Sequence, residues 1–219
     1  IRMLPPFSKS FLLTLCTYFH KTFIMKTKFF IAIVFLFACH LFAYCQPPEH
    51  LNFKGVPIDG TLAEYVYKMK LNGFRILKSE DGIAMLTGDF AGYKECIIAV
   101  ATLKQKDLVY KIAVIFPNRE TWSTLSGNYF DLKKMLIEKY GRPSEETETF
   151  DTFTQPHDDG SRMHEVNMDR CKYSSTWNID KGEIQLSIDH DNMINCFVTL
   201  IYFDRINNAI IKEKAKADL

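Results

Sequence analysis

Apolar residues along this chain keep two rhythms in turn, and the alternation between them predicts the elements. Leu62, Val66 and Met69 recur at helical spacing behind Thr61 and Glu64, the two ends of a capping box, and Asn72-Gly73 supplies the stop. The rhythm then shortens. Phe74–Leu77, Ile83–Phe90, Glu95–Thr102 and Val109–Phe116 read as strands, parted by Ser79-Glu80-Asp81-Gly82, Ala91-Gly92 and Lys104–Asp107, with Pro117 closing the run. A second helix is predicted over Thr121–Tyr140, where Trp122, Leu125, Tyr129, Leu132, Leu136 and Tyr140 form one stripe, and Gly141 and Pro143 end it. Ser144–Asp169 is polar and reads as a long connection, with Pro156–Gly160 as a surface loop. Three further strands follow over Cys171–Ile179, Glu183–His190 and Cys196–Phe203, and a last helix runs from Ile206. Gln46–Gly55, opened by Pro47-Pro48, reads as an extended lead-in.

Short links between successive strands predict an antiparallel meander. The fold class expected is therefore α+β, an antiparallel sheet with helices on one face. The chain also echoes itself. Ile112–Phe116 parallels Thr199–Phe203, and Asn118-Arg119 parallels Asp204-Arg205, each pair leading to a helix. This predicts two fused α-β-β-β(-β) repeats, about 56–117 and 118–205, within one domain over 46–219, with an insertion near 145–169 in the second.

Ahead of this domain the pattern is different. Met25, Lys26 and Lys28 precede an unbroken apolar run, Phe29–Cys39, and the stretch ends at Ala43-Tyr44-Cys45. That is the order of a secretory signal peptide, here 25–45. The run is 11 residues long, against the roughly 20 of a spanning helix, so no transmembrane anchor is expected after processing. Residues 1–24 read as a segment upstream of the natural start, with a longer signal from Met3 as the alternative. Cutting after Cys45 leaves Gln46 as the new N-terminus and a periplasmic or secreted product. The second reading keeps an acylated Cys45, an outer-membrane lipoprotein, but Phe42 and Tyr44 fit a lipobox poorly.

Charge changes with the leader. It carries five basic and no acidic residues, so of 27 Lys+Arg and 26 Asp+Glu, 22 and 26 follow Cys45, a net of −4. A mildly acidic chain without a basic cluster excludes nucleic acid as the expected partner. Three cysteines remain, Cys96, Cys171 and Cys196; an oxidising compartment would allow one disulfide among them, with the pair left open.

Three segments carry a resemblance: Gly55–Thr61, Gly88-Asp89-Phe90-Ala91-Gly92-Tyr93, and Met168-Asp169-Arg170-Cys171-Lys172-Tyr173. In these the chain resembles small uncharacterised exported proteins of Gram-negative gut bacteria, a group that implies no activity. At the level of architecture it is similar to the tandem helix-plus-meander repeats of the β-lactamase-inhibitor-protein type, and that similarity implies a fold rather than a function.

Motifs for chemistry are sparse. No cofactor site and no catalytic set is expected, since G-x-S-x-G and phosphate-loop patterns are absent. Asp189 and Asp191 share one strand face and are the nearest approach to a metal site, with His190 directed away from them. His157-Asp158-Asp159 and His164-Glu165 lack calcium-loop or zinc spacing. Cys96 and Cys196 sit in apolar strand sequence, which makes a thiol inert. Tyr67, Tyr93, Tyr173 and Trp177 are not assigned to a core face and are the candidate protein-binding aromatics. The function expected is a non-enzymatic protein-binding or envelope-accessory module, its partner another envelope or secreted protein. The alternative is a hydrolase acting on an envelope or dietary polymer, which needs a cleft with two carboxylates or a Cys–His pair.

Overall fold

The computed structural model describes residues 49–217 apart from 104–105 and 192–194. The leader and its processing site, including Cys45 and Gln46, lie outside the described residues. A small hairpin of β1 (Asn52–Phe53) and β2 (Val56–Pro57) comes first, turned by Lys54 and Gly55, both at positive φ. The order is then α1 (Leu62–Leu71), β3 (Arg75–Glu80), β4 (Ile83–Phe90), β5 (Tyr93–Leu103), β6 (Leu108–Ile115), α2 (Trp122–Tyr140), β7 (Glu145–Phe150), α3 (Asp159–Asn167), β8 (Cys171–Ile179), β9 (Gly182–Asp191), β10 (Asn195–Asp204) and α4 (Arg205–Ala217).

Eight strands form one antiparallel sheet in the order β3-β4-β5-β6-β10-β9-β8-β7, so the fold is α+β with helices packed against the sheet. The order is palindromic about the β6–β10 pair, where Val114 faces Leu200. Buried positions fix the correspondence of the halves: Ile112, Val114 and Phe116 match Val198, Leu200 and Tyr202. Phe116 therefore corresponds to Tyr202 and not to Phe203, which points to the opposite face, a one-residue shift from the match read in the sequence.

Three elements depart from expectation. β3 runs on through Glu80, because Asp81 and Gly82 alone make the turn, both at positive φ. β7 lies in the stretch read as a connection; its sequence, Glu-Glu-Thr-Glu-Thr-Phe, hides the strand because only Phe150 is buried apolar. The insertion in the second half is thus shorter, only the β7–β8 link. Within it Pro156, His157 and Asp158 stay a loop, but a helix, α3, takes Asp159 and Gly160 and runs on to Asn167, started by Asp158, whose carboxylate accepts from Ser161 N at 2.7 Å.

The lead-in is part of the core. Leu51, Phe53, Val56 and Ile58 are buried, and the Phe53 ring stacks on Phe90 at 5.1 Å and meets Tyr202 edge-on at 5.4 Å. A polar clasp fixes it. Asp204 is fully buried and accepts from Leu51 N (2.8 Å) and Asn207 N (2.8 Å), with His50 Nδ1 at 3.0 Å. The Asn207 amide reaches Ile58 O (3.1 Å), Asp59 Oδ1 (3.1 Å) and Val109 O (2.8 Å). Desolvation opposes the charge of Asp59, yet the Asn207 amide, the Gly60 N–H and His50 outweigh it and hold its pKa below the usual carboxylate range.

Among the described residues no helix is long and apolar enough to cross a membrane.

Candidate functional site

A groove of about 770 Å³ runs between α1 and the β3–β4 hairpin. That is within the roughly 300–1,000 Å³ of ligand sites. α1 gives it Leu62, Ala63, Val66, Tyr67 and Lys70, successive positions of one helical face; β3 gives Ile76 and Ser79. Asp81, Gly82, Thr102 and Asp107 close one end.

Each wall is held by local chemistry. Thr61 Oγ1 accepts from Glu64 N (3.3 Å) while Thr61 N donates to Glu64 Oε2 (3.2 Å), completing the capping box. Asp107 Oδ1 adds a bond from Leu62 N (3.1 Å), so one of the two groove carboxylates is committed to the helix start. Gly82 O accepts both the N–H and the hydroxyl of Thr102, at 2.9 Å each, and ties the hairpin tip to β5.

The rim is apolar and wet. Tyr67 is 63% exposed, Leu71 72% and Leu77 57%, with Ile76 also exposed. Single exposed apolar residues are ordinary, but Tyr67 and Ile76 both line this groove, with Leu71 one turn on from Tyr67 along α1 and Leu77 next to Ile76 on β3. β3 is an edge strand exposed at all six positions, and a bulge at Leu77 interrupts its pairing.

The equivalent surface in the other half is filled. Thr61 and Thr121 are the N-caps of α1 and α2, so Leu62 corresponds to Trp122. Following the register outward from Val114–Leu200, Ala84 corresponds to Tyr173. Trp122 and Tyr173 meet edge-on at 5.0 Å, and Phe150 joins both. α3 lies over this region, packed on α2, β8 and β9. Its Val166 is buried and Met163 half-buried, and its Asp159 carboxylate accepts from Trp122 N (2.9 Å) and Ser123 N (2.8 Å).

Of the four aromatics picked from sequence, the structure brings Tyr67 to the groove. Tyr93 is half-buried against Phe116, centroids 5.0 Å apart, and Tyr173 is held in the aromatic cluster above. Trp177 is 1% exposed and its indole N–H donates to Gly141 O at 2.9 Å; it is a core residue, because its strand position faces the helices. Sequence reading missed Lys70, Asp81 and Asp107 as groove residues; the Asp-Gly turn was the only local signal for one of them.

Asp189 and Asp191 are exposed on β9, and His190 turns to the other side, its Nε2 2.9 Å from Asp169 Oδ1. Among the described residues no group of three or more His, Cys, Asp or Glu side chains is gathered as a metal ion requires.

Cys96, Cys171 and Cys196 are free thiols, which corrects the expected disulfide. They stand on β5, β8 and β10, no two of which are neighbours. Strands two places apart put Cα atoms about 9–10 Å apart, beyond the roughly 7 Å that a disulfide spans. Burial pushes Cys96 up to about 11 and Cys171 up to about 12, and raises Cys196 as well. Cys196 lies opposite His190 in the β9–β10 register, and Asp169 contacts that histidine, so the residue types of a thiol–imidazole–carboxylate set are juxtaposed. The thiol itself is fully buried and donates to Asn167 Oδ1 at 3.1 Å.

Comparison of the chain with protein-family models, with curated proteins and with solved structures yields no match.

Proposed function

We propose that this chain is an exported, non-enzymatic module that binds another envelope or secreted protein in the groove between α1 and β3. The observation that carries the reading is the groove of about 770 Å³ with two exposed large apolar side chains in its lining, Tyr67 from α1 and Ile76 from β3. Water-exposed apolar surface around a concavity is stabilised by a partner that covers it. The aromatic rim residue, Tyr67, is of the type that anchors such interfaces.

The hydrolase alternative draws on Cys196, His190 and Asp169. It is the weaker reading because a nucleophile must reach substrate as a thiolate, whereas Cys196 is buried, held by Asn167 and raised in pKa.

The test places a photo-crosslinking phenylalanine at Tyr67 and, as control, at Thr147 on the opposite edge strand. With native envelope extract, the Tyr67 probe is expected to give a discrete adduct that saturates with extract and that unlabelled protein competes away. No saturable adduct, or equal adducts at both positions, would refute the reading.

A further inference from the structure

Taking the groove as the binding site, as proposed above, we infer that its occupant is a short amphipathic helix of the partner protein, seated as α3 is seated in the second half of this same chain. The two halves share one strand order about the Val114–Leu200 pair, and their helices begin at corresponding caps, Thr61 and Thr121. In the second half the helix–sheet angle is filled from within the chain, by Trp122, Tyr173 and the nine-residue helix α3. In the first half the corresponding residues are Leu62 and Ala84, both much smaller. The β3–β4 link that would correspond to the α3 insertion is only the turn Asp81-Gly82. The first half thus keeps the seat and lacks the helix.

The seat also selects against an extended strand. Pairing along β3 would have to pass the bulge at Leu77, and the groove is walled by Ile76 and Ser79 on the inward side of that strand rather than by its free edge. α3 supplies the pattern for the ligand: apolar residues three apart, Met163 and Val166, turned inward, and a polar remainder.

A random dodecapeptide library displayed on phage, selected against the protein over 46–219 and against its Ala63→Arg variant, tests this. Ala63 is an exposed helix position, so arginine fills the groove without disturbing the core. Clones enriched on the parent protein are expected to carry apolar residues at i and i+3 or i+4 without internal proline. Synthesised, they are expected to gain helical circular dichroism on binding, and to lose about tenfold or more in affinity for Ala63→Arg. Enriched clones with strand-like alternation or internal proline, still lost on Ala63→Arg, would overturn the helical occupant and leave the groove standing. No enrichment, or clones that bind Ala63→Arg equally, would overturn the groove as well.

Discussion

Removing the side-chain amide of Asn207 should be among the most damaging polar substitutions in the chain. In Asn207→Ala the backbone bond from residue 207 to Asp204 survives, so helix α4 keeps its start. What is lost is the link among three segments: the lead-in at Ile58 and Asp59, β6 at Val109, and α4 itself. Ile58 and Val109 are fully buried, so their carbonyls would be left without this donor. A buried acceptor stranded in this way costs about 1–3 kcal/mol. Two of them, with some relief from water entering the space, give about 2–4 kcal/mol. With a urea m-value of about 2 kcal/mol/M, the unfolding midpoint should fall by about 1–2 M. Asn208→Ala, one residue on and half-buried, should stay within about 0.5 kcal/mol of wild type. Asn207→Asp should fall below Asn207→Ala at pH 7, because it sets a third carboxylate beside Asp59 and Asp204. That deficit should narrow as the pH is lowered and the new carboxyl takes up a proton. Equal midpoints for Asn207→Ala and Asn208→Ala would make the clasp a consequence of the packing rather than a cause.

Two tyrosines should respond oppositely to the same change. The Tyr65 hydroxyl is buried without a hydrogen-bond partner among the described residues, so Tyr65→Phe should be neutral or stabilising by up to about 1 kcal/mol; Tyr129→Phe, which gives up the 2.8 Å bond to Ser175, should cost about 1 kcal/mol, both read by chemical denaturation. Gly88→Ala should destabilise by about 1–3 kcal/mol, since an added Cβ would stand 2.5 Å from the Phe74 ring; an unchanged melting temperature would show that the ring simply swings away. The backbone N–H groups at the start of α2, Ser123 first, hold the Asp159 pKa below its ordinary value. A depressed carboxylate stabilises above the ordinary range, near pH 4, and less as the pH falls through its folded value. Asp159→Asn should therefore melt lower than wild type at pH 7, with the gap closing below about pH 3. The three thiols should react with a disulfide reagent at pH 8 more than about 100-fold more slowly than a free cysteine, and rapid labelling of Cys196 would revive the hydrolase alternative.

The legible parts of this fold are those where burial writes a period into the sequence. β4, β5, β6, β9 and β10 lie inside the sheet and carry apolar residues at every second position; α1 and α2 announce themselves by their caps and stripes. β7 was illegible for the opposite reason. It is an edge strand whose inward contacts before Phe150 are made by Glu146 and Glu148 on the buried Lys133, so its pattern is polar up to its last residue. α3 was illegible because it is nine residues long and only Val166 is fully buried. The groove was legible only in Tyr67. Its other residues come from α1, β3, the β3–β4 turn, Thr102 of β5 and Asp107 beyond it, and nothing local in the sequence says that Ile76 and Asp107 line one groove.

The two edges of the sheet differ in how they are protected, and the proposed binding site lies at the less protected one. Both edge strands present unpaired backbone groups, the liability of any open sheet. On β7 the liability is managed by tethering: Lys133 bonds Glu146 at 2.9 Å and also Glu148, and α3 covers the sheet beside them. Burial opposes the Lys133 charge, but the two carboxylates outweigh it and hold its pKa above the ordinary value, so the tether stays charged. On β3 the devices are only a bulge and exposed charges, Lys78 paired with Glu80. These discourage indiscriminate strand pairing while leaving the cleft behind the strand open. The joint that sets the fold, β6 against β10 with the Asp204–Asn207 clasp beside it, is a separate structure from that cleft. Substitutions at the exposed groove positions Ala63, Tyr67 and Ile76 should therefore cost folding little, as the proposed recognition role requires and unlike the sealed β7 edge.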